Sequence, residues 1–265
     1  MQIIYVQREL LWLPLHQNAI VRTMKPSRSP WCGFPEVIIH APESAVKKHP
    51  LYAAAKSGDA AAAQLLVKEL ISVESILALQ LIIRNAKPIL ISAHAYESQG
   101  TNAIPQAVAD ELGERIGLPV DQSIVQTNVV GHTGASGFAR LARPALFDGE
   151  IESGREYLIV DDFVGQGGTL ANLRGFIELK GGRVLAATVL TGKPYSAKLS
   201  LESTQLEELR KKHGNDFEKW WHKKFGYTFD CLTQSEARYL SKTEDADKIR
   251  DRITEEEQTG NVAGT

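Results

Sequence analysis

Short apolar runs alternate with longer amphipathic stretches in the middle of the chain, and this alternation predicts a layered α/β fold. Three runs of strand length are bounded by charged residues, proline or glycine, and they predict strands at residues 88–92, 155–161 and 183–191. Apolar runs of this kind fit strands that are buried on both faces of a parallel sheet. A further strand is predicted within residues 120–130, and helices at residues 104–116 and 170–180. The pattern therefore favours an α/β fold with a Rossmann-like parallel sheet, helices on both of its faces and right-handed crossovers.

The predicted α/β core comprises residues 87–193. The segment that precedes it is predicted to cover the sheet without forming an independent domain. This N-terminal segment is residues 1–86. Its predicted elements are short strands at residues 2–6 and 37–40, a Pro/Ser-rich connection at residues 25–35, and helices within residues 51–71 and 73–85. Gly58 and Asp59 are predicted to separate a short first helical piece from the longer helix that follows.

The segment after the core, residues 194–265, is predicted to be a helical cover. Its charged helices are expected at residues 205–212 and 216–224. Thr233 and Glu236 form a capping-box pattern that begins another helix. The tail, residues 242–265, is charged and is predicted to fray at its end.

Composition and charge exclude several classes of function. The 265 residues carry a net charge of -2, which gives no electrostatic case for nucleic acid or a membrane surface. The two cysteines, Cys32 and Cys231, stand far apart, so neither a disulfide framework nor a Cys/His metal cluster is expected. The chain start lacks the apolar core of a signal peptide, and no run approaches the roughly twenty apolar residues of a membrane helix. We therefore expect a cytoplasmic protein without a nucleic-acid or membrane partner.

The stretch at residues 157–170 concentrates the chemistry of the chain. An apolar strand pattern ends in two adjacent carboxylates, Asp161 and Asp162, and a glycine-rich turn then leads into a helix pattern. The turn consists of Gly165, Gln166, Gly167, Gly168 and Thr169. The carboxylates are predicted at the carboxyl end of their strand, where open α/β sheets bind ligands. Free backbone amides of the turn and of the helix start offer a binding site for a phosphate.

This order of groups resembles the signature of the type I phosphoribosyltransferases, which is a hydrophobic strand, two acids, two apolar residues, two small or polar residues and Gly-x-Thr. The resemblance implies that residues 165–169 bind the 5-phosphate of phosphoribosyl pyrophosphate (PRPP). It also implies that Asp161 and Asp162 bind the ribose hydroxyls, or Mg²⁺ through water. The chain lacks the lysine of a P-loop and the spacing of a dinucleotide fingerprint. The competing interpretation of the motif is an ordinary glycine-rich turn between a strand and a helix. For Asp162 the alternative is a helix N-cap or a charge that supports the site without contacting the ligand.

The same resemblance implies residues for the pyrophosphate leaving group. A pyrophosphate loop is expected after the first core strand, where the chain has Ala93, His94, Ala95 and Tyr96. Glu97 is predicted to orient magnesium-bound water or to touch the base, with a solvated loop carboxylate as the alternative. Residues 132–143 occupy the position of the flexible catalytic loop of the family. Arg140 or Arg143 is predicted to close over pyrophosphate, with ordinary surface arginines as the alternative.

The acceptor is less well defined than the donor. Gly165 stands where 6-oxopurine transferases carry an acidic base, so that mechanism is not expected. Lys193 follows the last core strand, and in those transferases the matching position contacts the carbonyl group of the base. Trp220 and Trp221 are candidates for stacking on a base, with packing as the alternative.

The resemblance as a whole predicts a magnesium-dependent phosphoribosyltransferase. Such an enzyme would transfer ribose 5-phosphate from PRPP to a nitrogenous base or a similar acceptor and release pyrophosphate. Two other functions stay open, namely a sensor of the same fold that binds PRPP or a nucleotide and regulates a partner, and hydrolysis or phosphorolysis of a nucleotide. Dimers are common in the family, so the resemblance also implies a homodimer.

Overall fold

The structure, a computed structural model, describes residues 25–92, 96–97, 100–128 and 136–262. Strands and helices are mixed up to the last strand, and only helices follow it. The strands are β1 (Ile38–Ile39), β2 (Ile89–Ser92), β3 (Tyr96–Glu97), β4 (Gly100–Thr101), β5 (Val120–Asp121), β6 (Val125–Gln126), β7 (Phe147–Asp148), β8 (Glu156–Val164) and β9 (Arg183–Gly192). The helices are α1 (Glu43–Lys47), α2 (Tyr52–Lys56), α3 (Ala60–Leu70), α4 (Val73–Ile83), α5 (Ile104–Ile116), α6 (Gly137–Ala142), α7 (Gly168–Leu179), α8 (Ser203–His213), α9 (Asn215–Phe225), α10 (Gln234–Lys242) and α11 (Ala246–Val262).

The central sheet contains five strands in the order β1-β9-β8-β2-β5, and every neighbouring pair is parallel. Successive residues of its inner strands enter two different cores, with Leu90 and Leu158 on one face and Ile91 and Ile159 on the other. Helices α3, α4 and α5 cover the first face and α7 covers the second. Because both faces are covered, the strands are apolar without alternation. The predicted α/β fold with helices on both faces of a parallel sheet is confirmed.

The strand predicted within residues 120–130 is in fact two strands that belong to different sheets. β5 pairs with β2, whereas β6 pairs antiparallel with β7 in a separate two-stranded sheet. Between them, Asp121 Oδ1 accepts a hydrogen bond from the Ser123 amide at 2.7 Å, and this local bond turns the backbone. The prediction of one continuous strand was therefore wrong.

β8 continues past the two carboxylates. The sequence predicted that this strand ends at residue 161, but its pairing with β9 extends through Phe163 and Val164. The carboxylates therefore lie on the strand itself, and the sheet fixes their backbone. Asp162 caps no helix, so the interpretation of this residue as a helix N-cap was wrong.

The N-terminal helices follow the break predicted at Gly58 and Asp59. α2 ends at Lys56, and Asp59 begins α3 by accepting a hydrogen bond from the Ala62 amide at 3.0 Å. The strand predicted at residues 2–6 lies outside the described residues.

Residues 25–35, a predicted connection, cross α7 and are called the strap below. Arg174 of α7 donates hydrogen bonds to the carbonyl groups of Ser29 and Pro30 at 3.0 and 3.1 Å. The same guanidinium lies 5.0 Å from the centre of the Trp31 ring. The strap is thus attached to the helix that begins at the glycine-rich turn.

The C-terminal helices pack with α6 around a third core, in which Phe217 and Trp221 are buried. Most of the predicted tail forms α11 as far as Val262, whereas residues 263–265, at the end that was predicted to fray, lie outside the described residues. Ile249 and Ile253 lie four residues apart on this helix and are fully buried in the same core. This spacing gives a charged helix one apolar face, and the prediction overlooked it. None of the helices in the described part of the chain is long and apolar enough to cross a membrane.

Candidate functional site

A cavity of about 690 Å³ opens at the carboxyl end of the parallel sheet. The residues predicted to bind the sugar phosphate line it together, namely Asp161, Asp162, Gly165, Gln166, Gly167, Gly168 and Thr169. Arg140 and Lys193 line the same cavity, although they come from other parts of the sequence. Open α/β sheets bind their ligands at this edge. The structure therefore joins most of the predicted site residues into one cavity.

The glycine-rich turn leaves the start of α7 open to an anion. Gly167 precedes the helix with a φ of 81°, a left-handed conformation that favours glycine. Among the described residues no side chain caps this helix, so its first backbone amides are available to a ligand. The aligned peptide dipoles favour negative charge at the same end. The turn can thus bind a phosphate through its backbone.

The C-terminal cover packs directly against this turn. Thr233 Oγ1 donates a hydrogen bond to the Gln166 carbonyl at 2.5 Å. Thr233 and Glu236 also form the predicted capping box at the start of α10, which is confirmed. A Cβ atom on Gly168 would lie 2.8 Å from Glu236 Oε1, so the cover leaves no room for a side chain there.

A buried ion pair holds Glu236 in this position. Arg28 of the strap donates hydrogen bonds to both carboxylate oxygens of Glu236, at 2.6 and 2.9 Å, and to Asn172 Oδ1 at 2.7 Å. Its guanidinium lies 4.5 Å from the centre of the Tyr227 ring. Both charged side chains are only 3% exposed. One buried cation therefore joins the strap, α7 and α10 behind the glycine-rich turn.

The two acids of the motif differ in their surroundings. Asp162 Oδ2 accepts hydrogen bonds from Lys56 Nζ and Asn102 Nδ2, each at 2.9 Å. Asp161 Oδ1 accepts a hydrogen bond from the Asp162 amide at 2.8 Å. Burial and then the negative charge of Asp162 raise the pKa of Asp161 well above its usual range. The pair therefore favours ligands that donate hydroxyl hydrogen bonds or bring positive charge.

Magnesium is the cofactor that the resemblance implies, and the acid pair offers it few direct ligands. Among the described residues, no group of three or more His, Cys, Asp or Glu side chains is placed to hold a metal ion. One oxygen of Asp162 is already engaged by Lys56 and Asn102. Mg²⁺ in proteins usually keeps several waters and is bound by one or two carboxylates together with substrate phosphates. Asp161 and Asp162 fit a site of that water-rich kind.

Arg140 reaches the glycine-rich turn from α6. A Cβ atom on Gly165 would lie 3.0 Å from Arg140 Nη1, so the guanidinium lies against the turn. Burial lowers the pKa of Arg140 from its ordinary value. Ser136 begins α6 by accepting a hydrogen bond from the Ala139 amide at 3.0 Å. The segment around Arg140 is thus a capped helix and not the loop that the sequence predicted, whereas residues 129–135 lie outside the described residues.

Arg143 has a different partner. Its Nη2 lies 3.4 Å from Glu256 Oε2 on α11, and Ser136 Oγ donates a hydrogen bond to Glu256 Oε1 at 2.6 Å. Arg143 does not line the cavity. The predicted contact between Arg143 and pyrophosphate does not fit this geometry, in which Arg143 attaches α6 to the C-terminal helix.

The predicted pyrophosphate loop is described only in part. Tyr96 and Glu97 are described as the backbone of β3, which pairs antiparallel with β4. Ala93, His94 and Ala95 lie outside the described residues. The roles assigned to this loop and to Glu97 stay predictions.

Lys193 lines the cavity beside two charged residues of α1. Its Nζ lies 2.5 Å from Glu43 Oε2, and Lys47 Nζ lies 2.5 Å from Glu43 Oε1. The hydrogen bond to Glu43 raises the pKa of Lys193. Lys193 therefore carries its positive charge at the cavity with a carboxylate as its neighbour.

The aromatic residues of the cavity are not the predicted tryptophans. Trp221 is fully buried in the third core, and Trp220 stacks on Phe217 with ring centroids 5.5 Å apart. Neither lines the cavity, so the alternative interpretation of packing is the one that the geometry supports. The aromatic residues that do line the cavity are Tyr52, Phe163, Tyr195 and Tyr239. The sequence could have predicted two of them, because Phe163 lies inside the motif and Tyr195 lies just after Lys193.

Two curated relatives share sequence with the chain. Protein TraN of Escherichia coli is 41% identical over 229 residues, which cover 86% of this chain and 51% of that protein. An uncharacterized protein of Haemophilus influenzae is 40% identical over 151 residues, which cover 57% of this chain and 34% of that protein. The chain thus spans about half the length of the first relative and about a third of the second. Neither name states a substrate or an activity, and no protein-family model matches the chain.

Solved structures of phosphoribosyltransferases are distantly similar to the chain. One is a hypoxanthine-guanine phosphoribosyltransferase from Bacillus anthracis, with 19% identity and a TM-score of 0.35. The similar region covers 53% of this chain and 74% of that chain. A similarity of this size assigns no role to any residue, so the functional conclusion must come from the cavity itself.

Proposed function

We propose that this chain transfers ribose 5-phosphate from PRPP to a nitrogenous acceptor and releases pyrophosphate. Two acids on a strand and an uncapped, glycine-rich helix start line the same cavity. This observation supports the proposal most strongly. Carboxylates accept hydrogen bonds from sugar hydroxyls, and helix-start amides bind phosphate. A phosphorylated ribose presents both groups on one small molecule.

In the proposed complex, residues 165–169 hold the 5-phosphate through their amides and through the Thr169 hydroxyl. Gln166 Oε1 is buried and has no hydrogen-bond partner among the described residues. A buried oxygen of this kind is usually satisfied in a functioning protein, and a hydroxyl group of the ligand would satisfy it. Arg140 adds positive charge beside the same turn.

The acids and the cations would act on opposite charges of the transition state. As the bond from the sugar C1 to pyrophosphate breaks, positive charge develops on the ribose ring and negative charge on the leaving group. Asp161 and Asp162 orient the ribose and face its positive charge. Arg140, whose guanidinium lies against the turn at Gly165, faces the phosphate groups. When bound, Mg²⁺ held by the two acids through water would neutralise oxygens of the leaving group.

The acceptor would lie against the aromatic side of the cavity. Phe163 and Tyr195 offer flat apolar surfaces, and planar heterocycles stack on such rings. Lys193 would donate a hydrogen bond to a carbonyl oxygen of the acceptor. A planar nitrogen heterocycle with an exocyclic oxygen is the acceptor class that we propose on these grounds.

Calorimetric titration with PRPP, with and without Mg²⁺, tests the donor site. We expect micromolar binding that is lost in the variant Asp161→Asn/Asp162→Asn and kept in the control Asp216→Asn, whose carboxylate is 93% exposed. Absence of binding to the unaltered protein would refute the proposal.

Pyrophosphate release, followed against a panel of heterocyclic bases, tests the transfer itself. Release with at least one base, in proportion to the nucleotide formed, is the expected result. Tight binding of PRPP without release in the presence of any base would instead favour the sensor.

A further inference from the structure

Lys56 brings an ammonium group to the acid pair from a part of the chain outside the motif. It is the last residue of α2, and its Nζ lies 2.9 Å from Asp162 Oδ2. Asn102 Nδ2 lies 2.9 Å from the same oxygen. The Lys56 and Asp162 side chains are only 24% and 16% exposed, so water screens this contact incompletely.

The backbone around both donors fixes them relative to each other. The Ala103 amide donates a hydrogen bond to the Ala55 carbonyl at 3.2 Å, which joins the end of α2 to the segment just before α5. Asn102 Oδ1 accepts a hydrogen bond from the Ile104 amide at 3.2 Å, so the same side chain is held at both of its polar atoms. Lys56 and Asn102 are therefore positioned by the fold and do not depend on a ligand.

An adjacent pair of carboxylates needs a positive charge before it can bind another negatively charged molecule. A divalent cation can supply this charge, but here an ammonium group already contacts one member of the pair. Its hydrogen bond to a carboxylate is charge-assisted and is of the stronger kind found in proteins.

We infer that Lys56 is a built-in counter-cation of Asp162, which lets the acid pair bind a phosphorylated ribose with less dependence on Mg²⁺ than two unpaired carboxylates would show. Asn102 shares this task as a neutral donor to the same oxygen. The statement about ribose rests on the proposed function, whereas the statement about cations at the acid pair does not. Removal of the Lys56 charge should convert the pair into a better divalent-cation site.

Binding of Mn²⁺ alone, read by the electron paramagnetic resonance signal of the free ion, tests the cation statement without any sugar. We expect Lys56→Met to bind Mn²⁺ about tenfold more tightly than the unaltered protein, a difference of about 1.4 kcal/mol. Lys56→Arg should behave like the unaltered protein, and Lys56→Met/Asp162→Asn should lose the gain. Equal Mn²⁺ affinity in the unaltered protein and in Lys56→Met would overturn the inference.

Titration with ribose 5-phosphate, once without Mg²⁺ and once with Mg²⁺ in excess, tests the consequence for the ligand. The unaltered protein should change its affinity about threefold or less, and Lys56→Met should bind about tenfold more weakly without Mg²⁺ and recover with it. A Lys56→Met protein whose metal-free affinity is unchanged would overturn the inference. If the unaltered protein binds neither ribose 5-phosphate nor PRPP, the proposed function fails and the Mn²⁺ result still decides the role of Lys56.

Two controls separate charge from folding. Lys48→Met removes an exposed lysine that does not line the cavity, and it should leave both titrations unchanged. Thermal melts identify any variant that is unfolded. If Lys56→Met does not fold, Lys56→Gln takes its place, because it removes the charge but keeps a hydrogen-bond donor. Lys56→Gln must then show the same gain in Mn²⁺ affinity.

Discussion

Replacement of Arg28 by methionine removes the cation that joins the strap to α10 beside the glycine-rich turn. The methionine keeps much of the apolar stem but leaves Glu236 without its bidentate partner and Asn172 Oδ1 without its donor. Water cannot replace Arg28 as the partner of Glu236, because both side chains are only 3% exposed. The substitution therefore creates a buried and uncompensated carboxylate beside Gly168.

The expected cost follows from this burial. Loss of one partner from a buried ion pair costs about 3–5 kcal/mol in the free energy of unfolding, chiefly because the remaining charge stays desolvated. For a chain of this size each kcal/mol corresponds to roughly 2–4 °C in melting temperature, so a decrease of about 6–20 °C is expected. Arg28→Met/Glu236→Gln removes both charges and should recover a large part of the loss.

Urea and thermal unfolding, followed by circular dichroism, measure these differences. The matched control is Arg252→Met, since Arg252 pairs with Glu255 on α11 and the two side chains are 56% and 63% exposed. Such a surface pair contributes about 0–1 kcal/mol. A loss below about 1 kcal/mol in Arg28→Met, or a double variant less stable than the single one, would refute the reasoning.

Further predictions concern single side chains. Burial lowers the pKa of His40 from 6.5 to about 4, so the stability due to its neutral form is complete above about pH 6.5 and declines as the pH falls toward 4. Urea unfolding measures the free energy of unfolding at pH 7 and at pH 4.5. The decrease in this free energy from pH 7 to pH 4.5 should be about 2–3 kcal/mol smaller in His40→Gln than in the unaltered protein. Gly168→Ala should weaken the binding of inorganic phosphate about tenfold in calorimetry, because the added methyl group meets a carboxylate that is held in place. Arg140→Met should weaken PRPP binding about tenfold, whereas Arg143→Met should change the melting temperature and leave that affinity unchanged. Trp220→Phe should leave the KM for any acceptor unchanged in a pyrophosphate-release assay, since Trp220 does not line the cavity.

The central strands and the glycine-rich turn could be predicted because each of them is encoded in a continuous stretch of sequence. The predicted and observed bounds of α5 are the same, Ile104–Ile116, and its ends carry local signals such as Pro105 at the start and Gly117 in a left-handed conformation after the end. The two acids and the glycine turn are also contiguous. Local patterns of this kind determine strands, helix ends and turns.

The partners of these local elements could not be predicted, since the contacts that define them join distant segments. Lys56 and Asn102 lie 106 and 60 residues away from Asp162, and Arg28 lies 208 residues away from Glu236. No periodicity in the sequence connects such pairs. The tryptophans illustrate the reverse case, in which adjacent aromatic residues suggested a binding surface and the fold placed them in a core.

The glycine at position 165 and the position of Arg140 are two parts of one structural feature. Because Gly165 has no side chain, Arg140 Nη1 can lie 3.0 Å from the point that a Cβ atom would occupy. An acid at this position would form an ion pair with that guanidinium, and a paired carboxylate is a weaker base because the cation lowers its pKa. Under the proposed function, this corner of the cavity would therefore hold negative charge and would not remove a proton. Under the proposed function, the acceptor nitrogen must lose its proton to water, to the leaving pyrophosphate or before it binds. If the proposed function is correct, the cavity should accordingly favour acceptor heterocycles that are already anionic or that lose a proton readily.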